Sequence, residues 1–270
     1  MALLDVNFFS EALGLSTAMK VILPQATSTG QVGMQGRAPD GRCPVLYLLH
    51  GWSDDETIWT RRTSIERYAS EAGLAVVMPR GGLSYYQNTA GGMAYWTLVS
   101  EEIPALCERW FPITTAREGT FAAGLSMGGY GALRLGLSRP EKFRAVASLS
   151  GVTDLRTRWT ASRTTRDADA KLMATIFGAD GPGPASDLFS LAEAVTASGR
   201  SPSIHLSCGT EDFFYADNVR FRDHARALGL DLEYAESRGS HEWGFWDQGI
   251  RSVLDWLCAL GPQGEVAGAP

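Results

Sequence analysis

The sequence predicts an α/β fold with a mostly parallel central sheet flanked by helices, and two observations carry that prediction. Short, almost wholly apolar runs, 44–49 and 74–78 among them, read as strands buried on both faces, which is the pattern of a parallel sheet covered by helices. These runs alternate along the chain with stretches of helical character, the order that parallel strands joined by crossover helices require. At 270 residues the chain fits one domain, 1–270, with a substantial core.

Taken in order, the first stretch, to about residue 39, contains alternating segments such as 18–23, which suggest antiparallel strands ahead of the main sheet. Ala38-Pro39-Asp40-Gly41 is a turn signal. The first buried strand, 44–49, runs into His50-Gly51, and helical character follows over 57–72. The strand at 74–78 is stopped by Pro79 and Gly81-Gly82; a helix is expected over 96–110. Further strands are expected at 119–123, 145–149, 203–208 and 232–235, and further helices at 127–137, 216–228 and 245–260. A Gly/Pro tail, 261–270, reads as flexible. The polar segment 152–199, with Gly178 and Gly181-Pro182-Gly183-Pro184 at its middle, breaks the alternation. It reads as an insertion of short helices above the strand ends, capping the site, or else as a plain surface excursion.

Composition narrows the function. Hydrophobic residues make up 44%, charged residues 20%, and the net charge is -6 with a pI near 5.3. That balance is ordinary for a globular enzyme and carries no electrostatic footprint for nucleic acid or an anionic membrane. No apolar run approaches the roughly 20 residues that span a bilayer. The N-terminal residues, Met1 to Asn7, lack the basic, apolar and small-residue regions of a signal peptide, so a cytoplasmic location is expected. Cys43, Cys107, Cys208 and Cys258 lack metal or redox spacing and read as reduced, mostly buried thiols.

Gly124-Leu125-Ser126-Met127-Gly128 matches G-x-S-x-G. The match is weak alone; its context strengthens it. A nucleophile elbow needs a strand, a sharp turn and a helix, and 120–123 and 127–133 supply the flanking elements. Side chains at 124 or 128 would meet neighbouring chain, while the turn lifts the Ser126 hydroxyl above the sheet at a helix N-terminus that favours negative charge. This context specifies the α/β-hydrolase fold. A hydroxyl needs a base. Of four histidines, His50 sits in a turn, His205 in a buried strand and His224 on a helix; His241 follows the sixth core strand, where this fold delivers its base. Asp212, just past the 203–208 strand, is the expected acid, with Glu211 and Asp154 as competitors. The oxyanion donors are expected from the N–H groups of Met127 and Trp52, with Ser53 as the fallback for Trp52. Trp96, Phe213 and Trp243 are expected to line an apolar acyl pocket, within a set of aromatics that also includes Trp59, Tyr95, Phe214, Tyr215, Phe245 and Trp246. Arg156, Arg158, Arg163 and Arg166 read as a solvated face, with recognition of an anionic substrate as the alternative.

The motifs Leu48-Leu49-His50-Gly51-Trp52, Gly124 to Ala132, Ser186-Asp187-Leu188-Phe189 and Gly239 to Trp246 resemble the putative-esterase family of tributyrin esterases, esterase D (S-formylglutathione hydrolase), feruloyl esterases and mycolyltransferases. The resemblance runs from about Phe8 to Leu257 and is nearest to the tributyrin and acetyl esterase branch. It implies hydrolysis of short acyl esters, acetyl to butyryl, through an acyl-enzyme. It also implies a cytoplasmic, often oligomeric enzyme (dimer or tetramer) that uses no cofactor or metal and takes a small-molecule ester. Esterase D proteins typically carry His before the nucleophile, where this chain has Leu125. The alternatives are an S-formylglutathione hydrolase, a feruloyl or acetylxylan-type esterase, an acyltransferase and a non-catalytic binding protein.

Overall fold

The computed structural model describes residues 1–25, 32, 36, 41–164 and 168–260, with backbone only at 168 and 169. The turn expected at Ala38-Pro39-Asp40, the expected tail 261–270 and Arg166 lie outside the described residues. Eight strands make one sheet: β1 (Ala2–Ser10), β2 (Leu15–Leu23), β3 (Val45–Leu49), β4 (Ala75–Pro79), β5 (Thr120–Leu125), β6 (Ala145–Leu149), β7 (Ser203–Gly209) and β8 (Leu232–Ser237). Their spatial order is β1-β2-β4-β3-β5-β6-β7-β8. β1 and β2 form an antiparallel hairpin, β2 pairs antiparallel with β4, and every later pairing is parallel. This is the mostly parallel sheet of the α/β-hydrolase fold.

The strand period explains the layers. Alternate residues of a strand point to opposite faces. On β3, Val45, Tyr47 and Leu49 enter one core while Leu46 and Leu48 enter the other. The first core is closed by α4 (Ile103–Trp110), α5 (Met127–Ser138), α8 (Leu188–Ser198) and α9 (Tyr215–Ala227); the second by α1 (Ile58–Arg62), α2 (Ile65–Ala72) and α10 (Trp243–Leu260). Each fully buried Val, Leu or Ile contributes on the order of 2 kcal/mol, so strands apolar on both faces are stable only between two helix layers. The outer strand β8 is different: Glu233 and Glu236 project to solvent and blunt an otherwise open sheet edge.

Three departures from the sequence expectations have local causes. The helix expected over 57–72 is two helices. Thr63, in extended backbone, donates from its hydroxyl to Trp59 O at 2.6 Å and accepts from Ile65 N at 3.2 Å, while Ser64 N donates to Asp247. These side-chain bonds replace the helical ladder. Before α4, a short α3 (Tyr95–Thr97) passes through a π-helical turn, Leu98–Glu102. Within 152–199, α6 (Leu155–Ser162) and α7 (Ala168–Phe177) associate with the loop at 85–91, where Ala90 and Gly91 N–H groups donate to Ile176 and Thr175 carbonyls. α8, however, buries Leu188, Ala192 and Val195 in the first core and packs on α5, so it is a sheet-covering crossover helix.

The register sets the site. Leu49 is level with Gly124, Leu125 with Leu149, and Leu149 with Ser207. The carboxyl ends of β3, β5, β6 and β7 therefore finish side by side, and the loops beyond them share one crevice, as open α/β sheets favour for ligand sites.

Candidate active site

Ser126 stands between β5 and α5 with φ +52° and ψ −117°, a left-handed backbone that a non-glycine residue adopts only when its surroundings hold it there. Two glycines permit it. A Cβ at Gly124 would collide with the backbone of Gly128, and one at Gly128 would collide with Leu49 O and stand 2.6 Å from His50 O. Ser126 N donates to Leu149 O at 2.9 Å, which anchors the turn to β6.

The loops after β7 and β8 bring the other two residues to it. Their approach is close: a Cβ at Gly209 would collide with the Gly239 carbonyl, and Glu211 N donates to Gly239 O at 2.9 Å. His241 Nε2 lies 3.1 Å from Ser126 Oγ, and His241 Nδ1 lies 2.8 Å from Asp212 Oδ2. A proton on Nδ1, donated to the carboxylate, leaves Nε2 free to accept from the serine hydroxyl. The Asp212 side chain is fully buried. Burial alone would raise its pKa, but hydrogen bonds from His241 and from Phe214 N–H, with the polar groups close by, outweigh burial and hold the carboxyl below its usual range.

The competing residues are engaged elsewhere. Asp154 caps α6, accepting from Thr157 N at 2.9 Å, and pairs with Arg220. Glu211 is exposed and pairs with Arg238. His50 is buried; its Nε2 accepts from Gly81 N at 2.8 Å and its Nδ1 donates to Gly51 O at 2.7 Å. His205 is buried on β7, and His224 lies on α9 near Glu193.

A cleft of about 520 Å³ opens over Ser126 and His241. Trp52, Phe213 and Trp243 line it, as do Phe214 and Trp246. Trp59 stands behind Trp243, edge to face at 5.5 Å. The expectation for Trp96 is corrected. Its ring lies under the Arg134 guanidinium at 3.8 Å, in a separate groove behind α5, because Arg134 also donates to the Tyr86 and Ala185 carbonyls and holds that corner of the fold together. A Cβ at Gly51 would stand 3.6 Å from Ser126 Cβ, so the His50 to Ser53 loop runs directly beside the serine. Among the described residues, the N–H groups of Trp52 and Met127 donate to no protein acceptor.

Three residues at the site escaped the sequence reading. Ser150, just past β6, has φ +50°; its hydroxyl accepts from Trp246 Nε1 at 3.2 Å and helps to hold the Asp212 carboxyl below its usual range. Tyr85 lies against Trp52 with ring centroids 5.1 Å apart. Val152 reaches the cleft from the start of the 152–199 segment. Only the strand-end position of Ser150 hints at its place. Among the described residues no group of three or more His, Cys, Asp or Glu could hold a metal ion, and no helix is long and apolar enough to cross a membrane.

Known proteins resemble this chain in sequence and fold. The family model described as Putative esterase covers residues 10–256. The acetyl esterase of Caldicellulosiruptor saccharolyticus is 30% identical over 268 residues, spanning 95% of this chain and 98% of that protein. Two Staphylococcus aureus structures superpose closely, each at 31% identity over 95% of this chain and 98% of theirs. The fluorophosphonate-binding serine hydrolase FphF gives a TM-score of 0.84 and the S-formylglutathione hydrolase FrmB gives 0.82.

Proposed function

The chain belongs to the Putative esterase family and is a serine esterase; from that premise we propose that Ser126, His241 and Asp212 form its catalytic triad and hydrolyse short acyl esters, acetyl to butyryl. The observation that carries this is the continuous hydrogen-bonded chain from Ser126 Oγ through the His241 ring to the buried Asp212 carboxylate, at 3.1 and 2.8 Å. Ser126 attacks the ester carbonyl while His241 takes its proton at Nε2. The Trp52 and Met127 N–H groups, without protein acceptors among the described residues, receive the oxyanion, and the N-terminus of α5 adds its dipole. His241 returns the proton to the departing alcohol, and water then releases the acyl group by the same steps in reverse. Asp212, kept anionic by its donors, fixes the tautomer and stabilises the imidazolium.

The acetyl esterase relative supports a small acyl group, and the aromatic walls of the cleft support an apolar one. The whole chain acts as one domain, and the part of 152–199 that precedes α8 acts as a partial cap, since Val152 and Arg158 reach the cleft from it. Buried, unpaired Cys43, Cys107 and Cys208 fit a reducing compartment.

The test is the initial rate on p-nitrophenyl esters from acetate to decanoate, beside Ser126→Ala. We expect a maximum at two to four acyl carbons and a loss on the order of 10⁴-fold or more in the variant. Equal rates in the two proteins would remove Ser126 as nucleophile. A second substrate, S-formylglutathione, belongs in the same assay because of the likeness to the S-formylglutathione hydrolase FrmB. With Leu125 before the serine, its kcat/KM is expected to fall below that of the best acyl ester.

A further inference from the structure

Four arginines lie between Val152 and Ala168, and the structure separates them. Arg156 faces Asp187 at 4.0 Å, Arg163 stacks on Trp159 at 4.8 Å, and Arg166 is outside the described residues. Arg158 lines the cleft over Ser126. Its Nε donates to the Tyr85 hydroxyl at 2.6 Å, and its guanidinium carbon stands 5.5 Å from the centre of the Phe214 ring. These contacts fix the plane of the guanidinium between the two walls of the cleft. Tyr85 packs on Trp52 at 5.1 Å, on the oxyanion side, and Phe214 packs on His241 at 5.4 Å, on the base side.

Among the described residues the guanidinium has no counter-charge. Arg80, Arg139, Arg220 and Arg238 each pair with a carboxylate, whereas Arg158 forms no ion pair among the described residues. Its two terminal nitrogens donate to no acceptor among them. Asp54 and Glu242 also line the cleft, but both stay beyond ion-pair distance of Arg158. Arg134 shows what a purely structural arginine looks like here: buried, with two backbone carbonyls satisfied and a tryptophan face beneath it. A half-buried guanidinium held rigid by a phenol and a ring, with its two terminal nitrogens without acceptors among the described residues, is arranged to receive a planar anion.

We propose that Arg158 is a specificity-determining residue that binds a carboxylate carried by the substrate, so that the preferred esters are monoanionic ones. The proposal rests on Ser126 being the nucleophile of the same cleft. The carboxylate can sit on the alcohol part or on the acyl part of the ester, and the assay separates the two. For the alcohol part, kcat/KM is measured on 4-carboxyphenyl acetate against the neutral 4-carbamoylphenyl acetate. For the acyl part, the 4-nitrophenyl monoester of adipic acid is compared with 4-nitrophenyl hexanoate. Each ratio is taken for the wild type, Arg158→Met and Arg158→Lys, which cancels differences in intrinsic ester reactivity.

In one of the two pairs, Arg158→Met should lower the anionic-to-neutral ratio about tenfold to a hundredfold, the worth of a charge-assisted bond. The neutral ester should stay within about threefold and Arg158→Lys should recover part of the loss. The effect should shrink in high salt. Ratios unchanged by Arg158→Met in both pairs would overturn the proposal, as would an equal fall on anionic and neutral esters, the signature of a mere prop for Tyr85. Serine-dependent hydrolysis without anion preference would leave the esterase reading standing and sink this inference alone. Hydrolysis that survives Ser126→Ala would sink both.

Discussion

Ser150 holds a left-handed backbone, φ +50°, although it is neither glycine nor exposed. Such a conformation costs on the order of 1 kcal/mol and persists only where the surroundings require it. Here the requirement is visible: the Ser150 hydroxyl accepts from the Trp246 indole at 3.2 Å, while the Trp246 ring stands edge-on to His241 at 4.8 Å. Ser150 and Trp246 thus pack beside the Asp212 and His241 side chains together. Ser150→Gly keeps the backbone at ease and removes the CH2OH side chain. It removes a polar neighbour that helps to hold the Asp212 carboxyl below its usual range, so the Asp212 pKa rises. The expected result is a kcat lower by about tenfold, with KM little changed and the acid limb of the pH profile moved to higher pH. An unshifted pH profile would make Ser150 a packing residue only. Asp212→Asn is the stronger change, because the amide favours the wrong imidazole tautomer; a kcat loss of about 10⁴-fold is expected. Ser126, Asp212 and His241 were legible in the sequence because each ends a short strand in a turn of recognisable chemistry. Ser150 was not, and Arg158 could be named as a candidate for an anion but not told apart from Arg156, Arg163 and Arg166, since both depend on partners about 70 to 100 residues away in the chain. Trp96 was misjudged for the same reason: nothing local announces that Arg134 claims its face.

The elbow is an element whose glycines are set by backbone approach. Gly128 faces the carbonyls of Leu49 and His50, and Gly124 faces the backbone of Gly128 and, at 2.8 Å from a notional Cβ, Leu49 O. Backbone cannot rotate away as a side chain can, so Gly128→Ala must separate α5 from β3. A cost of about 3 kcal/mol is expected, read as a Tm lower by roughly 5–10 °C. Gly183→Ala is the control: nothing lies within 4 Å of its added methyl and its φ is −78°, so its Tm should move by less than about 2 °C. Similar losses in both variants would contradict the close-approach account. The core strands were legible to within a residue or two because a two-sided apolar run has few other readings. Helix continuity was less so. The break at Thr63-Ser64 depends on Asp247, far along the chain, and the sheet-covering place of α8 depends on α5, although Leu188, Ala192 and Val195 do carry a helical spacing.

Across the molecule, the buried histidines set how stability answers to pH. Burial lowers the pKa of His50 and of His205 below the ordinary imidazole value. His50 is tied into the loop beside Ser126, and protonation of its Nε2 would break the bond from Gly81 N–H. For His205, Glu233 at 3.5 Å offsets burial only in part. In both cases the unfolded chain binds the proton more readily than the folded one. The stabilisation is therefore complete above the unfolded pKa, about 6.5, and is lost as pH falls through it toward the folded value. Asp55, Asp154 and Asp212 are held below the usual carboxylate range, so their contribution is present above about pH 4 and is lost in a separate, more acid window. Between pH 7.5 and 5.5 the histidines act alone among these groups. Calorimetry should show Tm falling over that interval, by up to about 1.4 kcal/mol of stability per pH unit for each histidine. The double variant His50→Gln, His205→Gln should begin from a lower Tm and hold it nearly constant over the same interval. A parallel fall in the variant would assign the acid sensitivity to other groups.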